Sequence, residues 1–364
     1  MHIGTVEFST FRNYRSFSFT PTPTLNILTG LNAQGKTNLL EGLGLLVVGR
    51  SFRGARAAEL PTWGCPAATI AGELHRAGSV RGLRRVVSQR DDGSAWTVSG
   101  DGCDWARAIP FGWQDLALFT GGPQVRRNFI DGFTGKMHPA HLAALGRYRQ
   151  VLGRRNHLLQ RGVDRGALRT LLQPWDEQLV ELGLELGRRR RDAVRTLERE
   201  AARLYPELAG QGEVRLVYRS SLDDGISADA FRALLGARVG EELRRGQTLV
   251  GPHRDDLAIE LDGSDLRVYG SRGQQRLMTL ALRLAEVGPV AEAVGSTPVL
   301  LLDDALSELD PVVQARALQH VGRAGQVFLS TAEPSLPDVC AADWWEVKGG
   351  WVTEMSASVA GGAA

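Results

Sequence analysis

The chain has 364 residues, a formal net charge of +2, 43% hydrophobic residues and 7% aromatic residues. These values suit a soluble globular protein of about two domains and exclude a fibrous, a disordered or a simple polycationic chain, so any nucleic-acid surface must come from local clusters. Cys65, Cys103 and Cys340 are odd in number and form no CxxC pair, and no stretch approaches twenty apolar residues, so the expectation is a reducing cytoplasm with no disulfide framework, no zinc site and no membrane span.

The first residues, MHIGTVEFSTFRNYRSFSF, alternate apolar and polar positions, as a half-buried or edge strand does, and lack the apolar core of a signal peptide. Residues 25–28 (LNIL) read as a buried strand, 30–37 are GLNAQGKT, and 38–41 (NLLE) open a helix. This is GxxxxGK[ST] in the strand-loop-helix context that it requires. Gly30 and Gly35 let the backbone curl so that N–H groups and a helix N-terminus face a phosphate chain. Lys36 is placed to reach the β- and γ-phosphates, and Thr37 to offer its hydroxyl to Mg²⁺. Of the 43 lysines and arginines only Lys36, Lys136 and Lys348 are lysines. Lys36 therefore stands where a compact ammonium is needed and a planar fork would not serve.

Arginine clusters follow. Arg50, Arg53 and Arg56 lie close in sequence to the ATP site and are the expected DNA phosphate contacts. Arg81, Arg84, Arg85 and Arg90 flank a strand-like stretch, and Arg147, Arg149, Arg154 and Arg155 share a helical region. The run 188–191 is four arginines, which cannot share one helix face; it is a DNA contact or a solvated face with acids nearby.

Residues 138–205 carry a helical pattern, with Leu179, Leu182, Leu186, Val194, Leu197, Ala201 and Leu204 at three- and four-residue steps. Gly153, Gly162, Gly166 and Pro174 are expected to break it, and no heptad stripe continues, so the arm should be short. A strand at 214–218 and a helix at 228–245 come next. GPHRDD at 251–256 then returns the chain to the ATPase; His253 and Arg254 form either a functional surface or a hydrogen-bonded turn before a strand at 257–261.

SRGQQ at 271–275 opens a helix with Leu277, Leu280, Ala281 and Leu284 on one face. A helix start is an anion site, and Ser271, Gly273 and Gln274 there resemble the signature sequence of ABC-type ATPases, which faces the nucleotide of a second subunit. The alternative is an N-capped surface helix. Residues 299–302 (VLLL) run into Asp303 and Asp304, as a central parallel strand with acids at its carboxyl end. Asp303 would hold the Mg²⁺ shell and Asp304 would act as the base for the attacking water. SELD at 307–310, with Ser307 and Asp310, is similar to the D-loop of the same ATPases. Ser330 and Thr331 follow a strand at 326–329, and GGAA at 361–364 reads as a loose tail.

FRNYR (11–15), GLNAQGKTNLLE (30–41), RSFR (50–53), RRNFID (126–131), VGPHRDD (250–256), SRGQQR (271–276) and 300–310 together resemble the RecF family of bacterial DNA replication and repair proteins, relatives of the Rad50 and SMC heads. The resemblance spans nearly the whole chain. It implies an α/β fold, a split P-loop ABC-type ATPase head of the Rad50/SMC kind with an inserted, mainly helical arm. The expected division is 1–120 and 248–350 for the ATPase, 121–247 for the arm and 351–364 for a tail. It further implies ATP and Mg²⁺ as cofactors, an ATP-dependent homodimer, duplex and gap DNA as partner, cooperation with RecR and RecO in loading recombinase, and slow hydrolysis.

By the same resemblance, Arg12, Asn32 and Asn38 line the nucleotide with Gly35, Lys36 and Thr37, while Ser271 and Gln274 complete the partner's site. Asp304 stands where many ABC-type ATPases carry Glu, and its shorter side chain implies slow turnover. Thr331 lies where transporter ATPases place a switch histidine and would sense the γ-phosphate weakly. Gln114 is either the Mg²⁺-contacting loop glutamine or a plain surface residue. The 235-residue gap between Lys36 and Ser271 and the missing histidine disfavour a transporter subunit. A small-molecule P-loop kinase would need no SRGQQ or SELD, and an SMC-like tether would need long heptads.

Overall fold

The computed structural model describes residues 1–90, 92–161, 165–333, 336 and 342–355. β1 (His2–Phe11) and β2 (Tyr14–Phe19) pair antiparallel, and β3 (Leu25–Thr29) leads through the glycine loop into α1 (Lys36–Val48). β4 (Ala67–Arg76), β5 (Ser79–Gln89) and β6 (Trp96–Gly100) extend the first pair into a five-stranded antiparallel sheet in the order β2-β1-β4-β5-β6. The alternation at the N-terminus has its expected result: Ile3, Val6, Phe8 and Phe11 are buried, whereas Glu7 and Ser9 are exposed. Leu39, Leu43 and Leu46 of α1 pack into the same core. Arg85 is buried beneath this sheet, where its guanidinium donates to the carbonyls of Leu46 (3.1 Å) and Gly100 (3.0 Å).

β7 (Ala108–Phe111) precedes a 3₁₀ turn at Trp113–Leu116. Four helices follow: α2 (Ala117–Thr120), α3 (Pro123–Met137), α4 (Pro139–Gln160) and α5 (Arg165–Ala209). β8 (Val214–Arg219), α6 (Ala228–Arg245), β9 (Asp256–Leu261), β10 (Ser264–Asp265) and α7 (Leu266–Tyr269) come next. β8, β9 and β10 form an antiparallel sheet.

The chain then makes α8 (Arg272–Ala285), α9 (Val287–Val294), β11 (Val299–Asp303), α10 (Pro311–Val321), β12 (Val327–Ser330), β13 (Ala342–Lys348) and β14 (Trp351–Glu354). The second sheet runs β14-β13-β3-β12-β11-β7, parallel throughout except for β14 at its edge.

The chain divides into two compact units. One comprises 1–116, 203–211 and 271–364; the other comprises 117–202 and 212–270. The last return to the first unit falls at Ser271 rather than at 248, because β9 pairs with β8 and carries 256–261 into the second unit, while 203–211 already belong to the first. β14 occupies positions 351–354, where a tail was expected, while 361–364 lie outside the described residues.

The expected short arm is replaced by a helix of 45 residues, α5, about 68 Å long at 1.5 Å per residue. Gly153 lies inside α4, and Gly166 and Pro174 lie inside α5; Gly162 falls outside the described residues. Packing overrides local propensity at Pro174: Leu168 and Leu172 are buried before it, and Leu179, Val180 and Leu186 after it. The carbonyl of Pro174 is taken by the side chain of Gln178 at 3.1 Å.

The arginine run is a structural feature of the second unit. Arg190 is buried and forks onto Asp131 (2.8 and 2.9 Å), while Arg189 pairs with Glu185 and Arg191 with Asp224. Arg155 is likewise buried, against Asp176 and Glu242, whereas Arg147, Arg149 and Arg154 are exposed.

Candidate functional site

The parallel sheet gathers the site at one edge. Register pairs Asp303 with Ser330 and Ser330 with Leu28, so the carboxyl ends of β11, β12 and β3 lie side by side, where ligands meet open parallel sheets. The glycine loop leaves β3 at this edge. A Cβ on Gly30 would stand 2.4 Å from the Val347 carbonyl oxygen, and one on Gly35 would stand 2.5 Å from Asn13 Nδ2 and 2.9 Å from Tyr14 Oη. With φ of +145° and +121°, both positions require glycine. No side chain caps α1 and no acid lies in its first turn, so its leading N–H groups and positive dipole end are left to a ligand.

These elements enclose a cavity of about 400 Å³ in the first unit. Asn32, Gly35, Lys36, Thr37 and Asn38 line one side, with Asp303, Asp304 and Ser330 at the strand ends. The Lys36 ammonium bends back to the carbonyls of Gly30 and Leu31, the latter at 3.0 Å. Burial lowers its pKa, against the opposing pull of Asp304 and Asp303.

Asp303 is buried at the joint. Thr37 Oγ1 donates to its Oδ1 at 3.0 Å and Ser330 Oγ donates to the same oxygen at 2.7 Å. Burial raises the pKa of Asp303, and these hydrogen bonds work against that rise. One hydroxyl and one carboxylate, hard oxygen donors facing a phosphate-sized cavity, suit Mg²⁺, which takes few protein ligands and completes its shell with phosphate and water.

Asp304 has φ of +52° and is half-surrounded by polar groups. Its N–H donates to Ser330 Oγ at 3.0 Å, and its Oδ2 accepts from Ser307 Oγ at 2.9 Å. Arg276 of α8 donates to the Asp304 carbonyl and to Ser307 Oγ, and lies 3.9 Å from the Asp304 carboxylate. The start of α8 and the 307–310 turn are thereby tied to Asp304. Asp310 caps α10 by accepting from the Val312 N–H at 2.9 Å.

Ser271, Gly273 and Gln274 are exposed at the start of α8, away from the cavity lining. Ser271 and Gln274 close a capping box, with bonds of 3.2 and 2.9 Å, and a Cβ on Gly273 would meet open space.

Several placements differ from expectation. Arg12 does not line the cavity; its guanidinium forks onto Glu41 (2.9 and 3.0 Å) and reaches the Glu59 carbonyl at 2.7 Å. Arg53 does line it, while Arg50 and Arg56 are exposed outside it. Thr331 is buried, and its hydroxyl accepts from the Glu333 N–H at 3.0 Å. Its neighbours Ser330 and Ala332 face the cavity instead, as alternation along an extended chain dictates. Gln114 is half-buried and not part of the lining, which takes the exposed Trp113. In the second unit His253 forms the hydrogen-bonded turn: Nδ1 meets Tyr148 Oη at 2.8 Å and Nε2 the Thr248 carbonyl at 3.0 Å, while Arg254 donates to the same carbonyl.

Sequence reasoning missed Ser330, Trp113, Arg276 and Glu41. For Ser330 the signal was present, since it pairs with the strand that ends in Asp303. The other three depend on contacts distant in sequence.

A DNA replication and repair protein RecF from Heliobacterium modesticaldum is 38% identical over 351 residues, covering 91% of this chain and 92% of its own. Its counterpart from Halalkalibacterium halodurans is 34% identical over 345 residues, with the same coverage. The chain belongs to the RecF family of DNA replication and repair proteins. A solved structure of the recombination mediator protein RecF with ATP, in the RecFOR pathway, superposes with a TM-score of 0.83 at 26% identity over 98% of both chains. The Smc head domain of Pyrococcus furiosus, at 15% identity and a TM-score of 0.53, shares the fold. The α/β fold is thus that of RecF and of the SMC-type ATPase heads. No family model matches the chain. Among the described residues, no helix is long and apolar enough to cross a membrane.

Proposed function

We propose that this RecF-family chain is an ATP-driven clamp on DNA, used in recombinational repair and in processing of replication gaps. The observation that carries the reading is the joint of Thr37, Asp303 and Ser330 under an uncapped helix start, which sets a phosphate cradle against a buried carboxylate. ATP enters as its phosphates displace the Lys36 ammonium from the loop carbonyls. Lys36 then holds the β- and γ-oxygens and the α1 N–H groups hold the rest of the chain. Thr37 and Asp303 would hold Mg²⁺, which when bound neutralises charge on the β- and γ-phosphates.

For hydrolysis, water attacks the γ-phosphorus, the bond to the bridging oxygen breaks, and ADP leaves. Asp304 orients that water and accepts its proton. With the shorter arm of Asp, and with Ser307 holding Oδ2, the reaction is slow. Ser271, Gly273 and Gln274 contact the γ-phosphate held by a second copy, so ATP favours the closed dimer through contacts that the open form lacks. Arg50 and Arg56 contribute contacts to duplex phosphate, making binding salt-dependent and insensitive to sequence. The relatives' RecFOR pathway supports RecR and RecO as partners at single-strand gaps.

The test is the mass in solution with and without ATP, Mg²⁺ and a short duplex, for wild type and Ser271→Arg. An ATP-dependent dimer retained on the duplex and lost in the variant supports the clamp. A monomer throughout refutes it.

A further inference from the structure

Arg276 lies early in α8 and borders the cavity, yet the mechanism above gives it no task. Only 9% of it is exposed. Burying a guanidinium is costly unless it is paired and hydrogen-bonded, and this one spends its far end on a single turn of chain. One terminal nitrogen donates to the Asp304 carbonyl and to Ser307 Oγ, and the other lies 3.8 Å from the Glu308 carboxylate. Nε is buried without a partner among the described residues, so the end of the side chain alone anchors it. The turn needs such a hold. Asp304 and Glu308, at its two ends, have φ of +52° and +63°, a left-handed backbone that residues other than glycine keep only where their surroundings fix it. Ser330 Oγ fixes Asp304 from one side, accepting from its N–H at 3.0 Å, and Arg276 fixes it from the other through the carbonyl. The grip extends to the side chain. A hydroxyl that accepts from Arg276 must aim its own hydrogen elsewhere. Of the two acceptors within reach of Ser307 Oγ, Asp304 Oδ2 is the nearer, at 2.9 Å against 3.1 Å for the carbonyl.

We infer that Arg276 is a positioning residue that sets the Asp304 carboxylate at the cavity, acting on turnover through Asp304 and adding nothing to the affinity for nucleotide. The inference rests on the hydrolytic reading above. Arg276 fixes the backbone of Asp304 directly and its carboxylate through Ser307, which takes Oδ2 and leaves Oδ1 to the water. A base works only within hydrogen-bond reach of the proton that it accepts, and a displacement of about 1 Å can cost about 10²-fold in rate. Without the guanidinium the turn relaxes, Ser307 loses its orientation and Asp304 is free to swing toward solvent, while the glycine loop, Lys36 and Thr37 keep their places.

The experiment measures the affinity for a non-hydrolysable ATP analogue and the single-turnover release of phosphate from ATP, each with Mg²⁺, in wild type, Arg276→Gln, Asp304→Asn and the double variant. Arg276→Gln should bind the analogue as wild type does and release phosphate at least about tenfold more slowly. The double variant should be no slower than Asp304→Asn alone, because a residue that acts only through Asp304 has nothing left to position. Weakened binding of the analogue in Arg276→Gln would make the arginine a nucleotide ligand and overturns the inference. Unchanged or faster phosphate release overturns it too, as does a double variant that shows the product of the two losses, the mark of a general structural role. Should Arg276→Gln fail to fold, Arg276→Lys, which gives up the planar fork, carries the test on the same terms. Phosphate release unchanged in Asp304→Asn overturns the hydrolytic reading and this inference together; a slow Asp304→Asn beside a normal Arg276→Gln overturns this one alone.

Discussion

Thr37 and Asp303 are 266 positions apart in the chain, yet the hydroxyl of one donates to the carboxylate of the other at 3.0 Å. The bond joins the first turn of α1 to the end of β11.

Asp303→Asn keeps the shape and removes the charge. We expect Mg²⁺-dependent ATP binding to weaken at least about tenfold, with the thermal midpoint little changed, because burial of the carboxylate already opposes its charged form. Calorimetric titration of ATP with and without Mg²⁺ checks this. Equal affinity with the metal would place the Mg²⁺ ligand elsewhere.

Gly273 offers a test of the second copy's role that leaves the protomer intact. Ser271 caps α8, so replacing it costs about 1 kcal/mol of helix stability besides any effect on dimers. Gly273 carries no such duty, and a side chain there meets open space. Gly273→Glu should bind ATP normally but fail to dimerise, since a carboxylate would face the γ-phosphate. Light scattering with ATP measures it, and normal dimers would remove the start of α8 from the interface.

The parts of this site that were legible in the sequence are those fixed by local spacing. GLNAQGKT places its own glycines, lysine and threonine, and an apolar run ending in two acids announces a central strand with a site at its end. What escaped depends on which way a residue faces or on distant partners. Thr331 and Ser330 differ only in parity along the strand, yet one is buried away from the cavity and the other holds Asp303. Arg53 lines the cavity and pairs with Glu41 on α1, a contact that the spacing of the arginines does not reveal. Pro174 sits within α5 because the buried leucines on either side of it hold the helix together.

Asp304→Asn should separate binding from turnover. The hydrogen bond from Ser307 and the nearby Arg276 tolerate an amide oxygen, so ATP binding and dimerisation should persist. Phosphate release should fall by a factor of about 10²–10⁴, the usual contribution of a positioned base. Single-turnover phosphate release measures this. Unchanged turnover would assign the water to another residue.

In the second unit, Arg190→Met should cost about 3–5 kcal/mol, because it leaves the Asp131 carboxylate buried without its forked partner. Burial alone would raise the pKa of Asp131, but the hydrogen bonds from His141 and Arg190 outweigh it and hold it low. A loss below about 1 kcal/mol in urea unfolding would show that His141 alone satisfies the carboxylate.

His253 contributes to the pH dependence of this unit. Burial pushes its pKa down from 6.5 to about 4, with Arg254 and Arg127 adding to the fall and the Thr248 carbonyl and Asp255 opposing it. The Tyr148 hydroxyl completes its surroundings. The folded state holds the ring neutral, so above pH 6.5 neither state takes up a proton and stability is full. As pH falls below 6.5 the unfolded chain binds a proton that the folded one refuses, and stability declines until about pH 4. Between pH 6.5 and 5 the loss should approach about 2 kcal/mol, at 1.4 kcal/mol per pH unit. Urea unfolding of wild type and His253→Gln at pH 7.5, 6 and 5 measures it: the variant should start less stable, and the gap should narrow toward pH 5. A constant gap would mean that folding leaves the pKa of the ring unchanged.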